Sequence, residues 1–231
     1  MERTWLPEAE TRLTLLYCLR ALGPVTGGQL ERYLLTNGLV NYFDLRLNLS
    51  ALVELGQVRS GEHPAGVLLM PTPEGLQALE AFTGRIPASR RETIDQTAAA
   101  WRDICRRELE RPALEEKQAD GTTRLRLLLV EAGRTLAELS LPWEGACPRA
   151  RWQAAAPAVW RTLLQRLTGE EPGEDPAPES PEPGEDRVVL RRGDFTADLA
   201  LGPLAERAKR RWPAEAEALE RDIRETLKAE A

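Results

Sequence analysis

The chain has 231 residues, 42 % of them hydrophobic, and a net charge of −6, enough for one or two domains. No run of about 18 apolar residues is present, so no transmembrane helix is expected. The opening MERTWLPEAE is acidic where a signal peptide needs a basic and then an apolar stretch. Cys18, Cys105 and Cys147 are odd in number and widely spaced, which argues against a disulfide framework or a CxxC metal site and for a reducing, cytoplasmic setting. The charge is unevenly spread: residues 168–186 hold eight acids and no base, which leaves +2 for the rest.

The first helix is expected over residues 7–22, with Pro7 at its first position and Gly23-Pro24 as its stop. Thr26-Gly27-Gly28-Gln29 has capping-box spacing and opens a second helix carrying Leu30, Tyr33 and Leu34, ended by Asn37-Gly38. Asn41 is the expected cap of a third helix, with Asp44 at its positive end. Tyr42, Leu45, Leu49, Leu52 and Val53 fall at spacings of three and four and form the expected core stripe, leaving Asp44, Arg46, Asn48 and Ser50 largely off it. Gly56 ends that helix. A β-ribbon follows from Val58 to Met70, with its tip at Ser60–Gly66, and Thr72-Pro73 opens a helix holding Leu76, Leu79 and Phe82. Helix, helix, helix, ribbon, helix is the order of a winged helix-turn-helix domain.

Ser89-x-x-Glu92 has a second capping-box spacing and opens a helix with Ile94, Ala98 and Trp101, giving way to extended chain near residue 104. Asp120-Gly121 predicts a two-residue hairpin, Leu125, Leu127 and Leu129 a strand face, and Ala132-Gly133-Arg134 a turn into a further strand. A helix over roughly 149–167 carries Trp152, Val159, Leu163 and Leu167. The acidic, proline-rich run 168–186 is expected to be a solvated linker. Beyond it, a shift of 60 residues lays LLVEAGRTLAELSL (128–141) on VVLRRGDFTADLAL (188–201) without a gap. Arg151-Trp152 falls on Arg211-Trp212, and Val159, Leu163 and Leu167 fall on Leu219, Ile223 and Leu227. The apolar phase holds over 40 positions, which predicts a duplicated ββα unit. The second copy is expected to extend the sheet or to pack as a pseudo-symmetric mate, replacing in one chain a contact that shorter relatives make between two.

The N-terminal stretch, with Asn41-Tyr42-Phe43, the T-x-x-G-x-x-x-L-x-x-F helix from Thr72 to Phe82, and Arg85-Ile86-Pro87-Ala88-Ser89, resembles an uncharacterised bacterial family, domain of unknown function 4364. The likeness covers roughly residues 8–167 and is strongest over 13–95. It implies a winged-helix N-terminus and a role like that of dimeric transcriptional regulators of the PadR and MarR kind. The acidic run and the second ββα copy depart from that pattern and argue against simple homodimerisation through the C-terminal half.

No catalytic motif is present. His63, the single histidine, stands at the expected ribbon tip without a cysteine or carboxylate pattern beside it, and there is no phosphate loop, HExxH or G-x-S-x-G. Glu115 and Glu116 lie in a charged stretch expected to be solvated. Enzymatic activity, a cofactor and a metal are therefore not expected. For DNA, the candidates on the third helix are Asn41, Asp44, Arg46 and Asn48: arginine suits guanine, asparagine adenine and a carboxylate cytosine, with Arg46 and Asn48 as the leading pair. Asn41 is more simply a cap, and Asp44 has an adequate role as a helix N-terminal acid. In the ribbon, Arg59 and His63 are placed for the minor groove or a phosphate. Against tight binding, residues 1–90 balance 8 basic with 9 acidic side chains, and phosphate neutralisation supplies most non-specific affinity. Tyr42 and Phe43 are expected as core or hinge contacts. The tryptophans are expected in the core, with an effector pocket near Trp143, Trp152 and Trp160 as the alternative.

The resulting expectation is an α+β protein: a winged helix-turn-helix domain (1–87), a connecting helix with a small α/β sheet domain (88–167), a linker (168–186) and a second ββα copy (187–231). Its expected function is that of a non-enzymatic, cytoplasmic, DNA-binding transcriptional regulator acting on double-stranded DNA, with a homodimer and a small-molecule effector as open options and no membrane partner. The alternative is a protein-docking adaptor whose winged helix does not bind DNA.

Overall fold

The computed structural model describes residues 8–169 and 187–228. Pro7 and most of the acidic run expected as a linker, from residue 170 onward, lie outside the described residues. The fold is mixed α and β, with seven α-helices and two antiparallel sheets among the described residues. It divides into two compact units, one up to Arg107 and one from Glu108.

The first unit begins with α1 (Glu8–Leu22), which buries Leu15, Leu16, Leu19 and Leu22. It stops where Gly23 takes a φ of +78° and donates its amide to Leu19 O at 3.0 Å, a conformation that costs glycine little. Strand β1 (Val25–Thr26) leads into α2 (Gly27–Thr36) through the expected capping box: Gln29 N–H donates to Thr26 Oγ1, and Thr26 N–H to Gln29 Oε1. After α3 (Tyr42–Glu54), β2 (Val58–Gly61) and β3 (Leu68–Pro71) form the ribbon, and β1 joins it to give the order β1-β3-β2. Next comes α4 (Pro73–Phe82). Thr72 Oγ1 accepts from Gly75 N–H at 3.1 Å and donates to Gly56 O at 2.7 Å, so one hydroxyl caps α4 and ties it to the end of α3.

Helix α5 (Ala88–Glu110) differs from expectation at both ends. It starts before Ser89, and the amides of Arg90 and Arg91 bond to Pro87 O, so Ser89 sits inside the first turn and forms no cap. It also continues past residue 104, because Cys105 extends the buried stripe of Ile94 and Ala98. Cys105 O also accepts from Gln29 Nε2 at 3.1 Å. Residues 88–107, grouped with the sheet on sequence grounds, pack in the core of the first unit, where Trp101 meets Tyr33 edge-on at 5.5 Å.

In the second unit, β4 (Ala113–Lys117), β5 (Thr123–Glu131), β6 (Arg134–Pro142), β7 (Arg187–Arg192) and β8 (Phe195–Ala200) form one sheet in the order β4-β5-β6-β8-β7. Helices α6 (Arg149–Thr168) and α7 (Ala205–Lys228) cover one face. The first hairpin tip is a correction. Gln118 N–H bonds to Thr122 O and Gly121 N–H to Gln118 O, so three residues, Ala119 to Gly121, make the loop; Gly121 at φ +85° takes the left-handed position that such loops require. The β5–β6 turn has both Ala132 (φ +48°) and Gly133 (φ +79°) in the left-handed region, the signature of a type I′ turn. Leucines and alanines alternate toward the helices. On the opposite face Arg126 grips Glu138 with Nε and Nη2 at 2.6 and 3.0 Å, and Arg187 Nε reaches Asp198 at 3.0 Å.

Candidate nucleic-acid interface

Helix α3 begins at Asn41, whose Oδ1 accepts from Asp44 N–H at 2.9 Å while its Nδ2 donates to Asp44 Oδ2 at 2.6 Å. Asn41 and Asp44 therefore satisfy each other at the helix start, where a carboxylate also meets the positive end of the helix. The inner face of α3 consists of Leu45, Asn48 and Leu52, at i, i+3 and i+7 on one stripe.

Asn48 is a correction: it is 2 % exposed, not a surface residue. Its Nδ2 donates to Asp44 O at 2.9 Å, and its Oδ1 accepts from Arg12 Nε at 3.2 Å, so it locks α3 to α1 and cannot reach a base edge. Arg12 in turn pairs with Glu8 at 3.0 Å.

Tyr42 and Phe43, expected as core or hinge contacts, are also corrected. They are 43 % and 80 % exposed, and Leu47 is 60 % exposed. The outward face of α3 thus presents Phe43, Arg46, Leu47 and Ser50, with Glu54 at its far end. The Arg46 guanidinium lies 5.7 Å from the centre of the Tyr42 ring, a cation–π contact that orients it without neutralising it. Once Asn48 is known to face inward, a helical wheel centred on residues 45, 48 and 52 places 43 and 47 opposite.

In the ribbon, Arg59 is exposed opposite Met70, and its side chain makes no hydrogen bond or ion pair among the described residues. His63 braces the tip. Its Nδ1 accepts from Ala65 N–H at 3.0 Å, and the turn closes with Gly66 N–H to His63 O at 2.8 Å. Burial lowers the His63 pKa below the ordinary 6.5, which favours the neutral ring. Of the six residues singled out, Arg46 and Arg59 present guanidinium groups with no ion pair among the described residues, Asn41 and Asp44 form a cap pair, His63 holds a loop and Asn48 lies in the core. Charge across the unit is balanced: residues 8–107 carry eleven arginines and eleven carboxylates.

The tryptophans of the second unit are core residues. Trp143 Nε1 donates to Ala146 O and Trp152 Nε1 to Leu128 O, both at 3.1 Å, and Trp160 is buried. Trp143 also borders an open groove of about 700 Å³ with Thr122, Glu144, Arg224 and Lys228. There Arg224 is already held by Glu220 and by Pro142 O. Among the described residues no three His, Cys, Asp or Glu side chains gather as a metal site, and no helix is long and apolar enough to cross a membrane.

Residues 11–167 match the family described as Domain of unknown function (DUF4364). The chain belongs to the DUF4364 family. Neither the curated proteins nor the solved structures yield a match. The DUF4364 match spans α3 and the ribbon and ends within the last turn of α6, leaving β7, β8 and α7 outside it.

Proposed function

We propose that this DUF4364 protein is a DNA-binding transcriptional regulator whose first unit is a winged helix-turn-helix, with α3 as recognition helix and the β2–β3 ribbon as wing. The observation that carries this reading is the division of labour on α3. Leu45, Asn48 and Leu52 anchor the helix on α1, while Arg46 and its neighbours stand free on a helix that runs directly into the ribbon bearing Arg59. An arginine on such a helix suits guanine O6 and N7 in the major groove, and Phe43 and Leu47 suit thymine methyl groups. The test is selection of duplexes from a fragmented genome at near-physiological salt, beside an Arg46→Ala/Arg59→Ala variant. One enriched motif that is lost in the variant is the expected result.

A second reading, a protein-docking adaptor, is favoured by the apolar exposure of Phe43 and Leu47 and by the balanced charge. It takes precedence if the folded wild type enriches no duplex.

We also propose that β5–β6–α6 and β7–β8–α7 are two copies of one unit. In support, Trp152 and Trp212, 60 residues apart, each donate an indole N–H to the first strand of their own hairpin, at Leu128 O and, three residues further along the correspondence, at Arg191 O. Ala156 and Ala216, Leu163 and Ile223, and Leu167 and Leu227 are buried at matching positions.

A further inference from the structure

Strands β6 and β8 meet in a register with an unusual arithmetic. Glu138 pairs with Asp198, its own counterpart 60 residues on. Around that pair Ala137 faces Leu199 and Leu139 faces Ala197, and Leu199 and Ala197 are themselves the counterparts of Leu139 and Ala137. Two antiparallel strands paired in this way are related by a two-fold axis through the 138/198 pair. A second copy of β6 laid on the first would therefore present Leu139 to Ala137 and Ala137 to Leu139, the same small-to-large fit already seen.

The helices follow the same symmetry. Arg151, in the first turn of α6, donates to Leu227 O near the end of α7 at 2.8 Å. Its counterpart Arg211 lies against Gly169 at the end of α6, with Nη1 2.7 Å from where a Cβ on that glycine would sit. At the centre, Glu138 opposes an acid in either arrangement and is neutralised by Arg126 of its own hairpin.

We infer that the β6 edge, together with the side of α6 that faces α7, is a self-complementary surface fitted to a second copy of the same ββα unit, and that residues 187–228 are its built-in occupant. The inference rests on the two-copy reading above. It implies that DUF4364 chains ending with α6 pair through this surface, whereas here two ββα units carry one N-terminal unit instead of two. The resident occupant has an advantage over a second copy: Arg166 pairs with Asp222 at 2.7 Å and lies 3.9 Å from Glu215, where a second copy would bring Thr162 and Ala155. Tethering in one chain adds a high effective concentration.

The test keeps the whole chain and replaces residues 187–228 by a repeat of 127–168, in a Cys147→Ser background with Glu138→Cys in both copies. Mild oxidation should link the two introduced cysteines within one chain. Ser140→Cys in both copies should give no link, because those positions lie four residues apart across the axis, about 13 Å along the strands. The melting point should fall below that of the parent and recover by about 2–4 °C when the grafted copy receives Thr162→Asp and Ala155→Glu. A grafted copy that is folded but leaves the two Glu138→Cys thiols unlinked, or that links at position 140 as readily as at position 138, overturns the surface and leaves the two-copy reading standing. A grafted copy that is digested by protease while the first unit resists, or a chain that does not fold, overturns both.

Discussion

Asn48 and His63 are polar residues of the candidate interface whose partners lie inside the first unit. Truncating Asn48 leaves the Asp44 carbonyl and the Arg12 guanidinium without their buried partner. Asn48→Ala should therefore cost about 1–3 kcal/mol in denaturant unfolding, a loss that a surface asparagine would not show. His63 carries a pH signature. Its folded pKa is depressed by burial, so the stability it contributes is complete above the ordinary 6.5 and is lost as the pH falls through the lowered folded value. Protonation also removes the acceptor for Ala65 N–H. The expected result is a single imidazole titration by NMR, centred below 6.5, with extra loss of protection at the Ala65 amide on the acid side. A titration at or above 6.5 would show that the tip does not shield the ring. The sequence placed His63 at the ribbon tip but not its bond, because a two-residue side-chain-to-backbone contact depends on the turn that Gly66 closes.

Several elements were legible residue by residue: the capping box at Thr26, the Asn41 cap and the Thr72 cap are local, so their chemistry lies within three or four positions. What escaped depended on packing. Tyr42 and Val53 share the spacing of a core stripe with Leu45 and Leu52, but α1 covers α3 from the Asn48 side, which no pattern within α3 reveals. In α4, Gly75 lies so close to the chain after α3 that a Cβ there would sit 2.2 Å from Gln57 O. The contact is with backbone, so Gly75→Ala must push α4 away and should destabilise by about 1–3 kcal/mol. Gly84→Ala, with open space around it, should be close to neutral. If α3 and the ribbon bind DNA through Arg46 and Arg59, each arginine that meets a phosphate should make the dependence of log K on log salt shallower by about 0.9 when replaced by alanine. His63→Gln should leave that slope unchanged at pH 7.5, because burial favours the neutral ring.

For the molecule as a whole, composition and phase indicated two kinds of architecture in one chain and the 60-residue correspondence, but not the strand order. Alternation assigns each strand a buried face; it says nothing about which edge meets which. The pairing of β6 with β8 has a kinetic consequence. Within each hairpin, β5 with β6 and β7 with β8, the paired residues are close along the chain, whereas β6 and β8 join residues 56 to 62 positions apart. Closing that seam costs chain entropy that the hairpins do not incur. The hairpins should therefore form early and the seam close late. Replacing Ala132, in the β5–β6 turn, by glycine should act mainly on the refolding rate. In this chain the middle of the sheet should be the last part to be built.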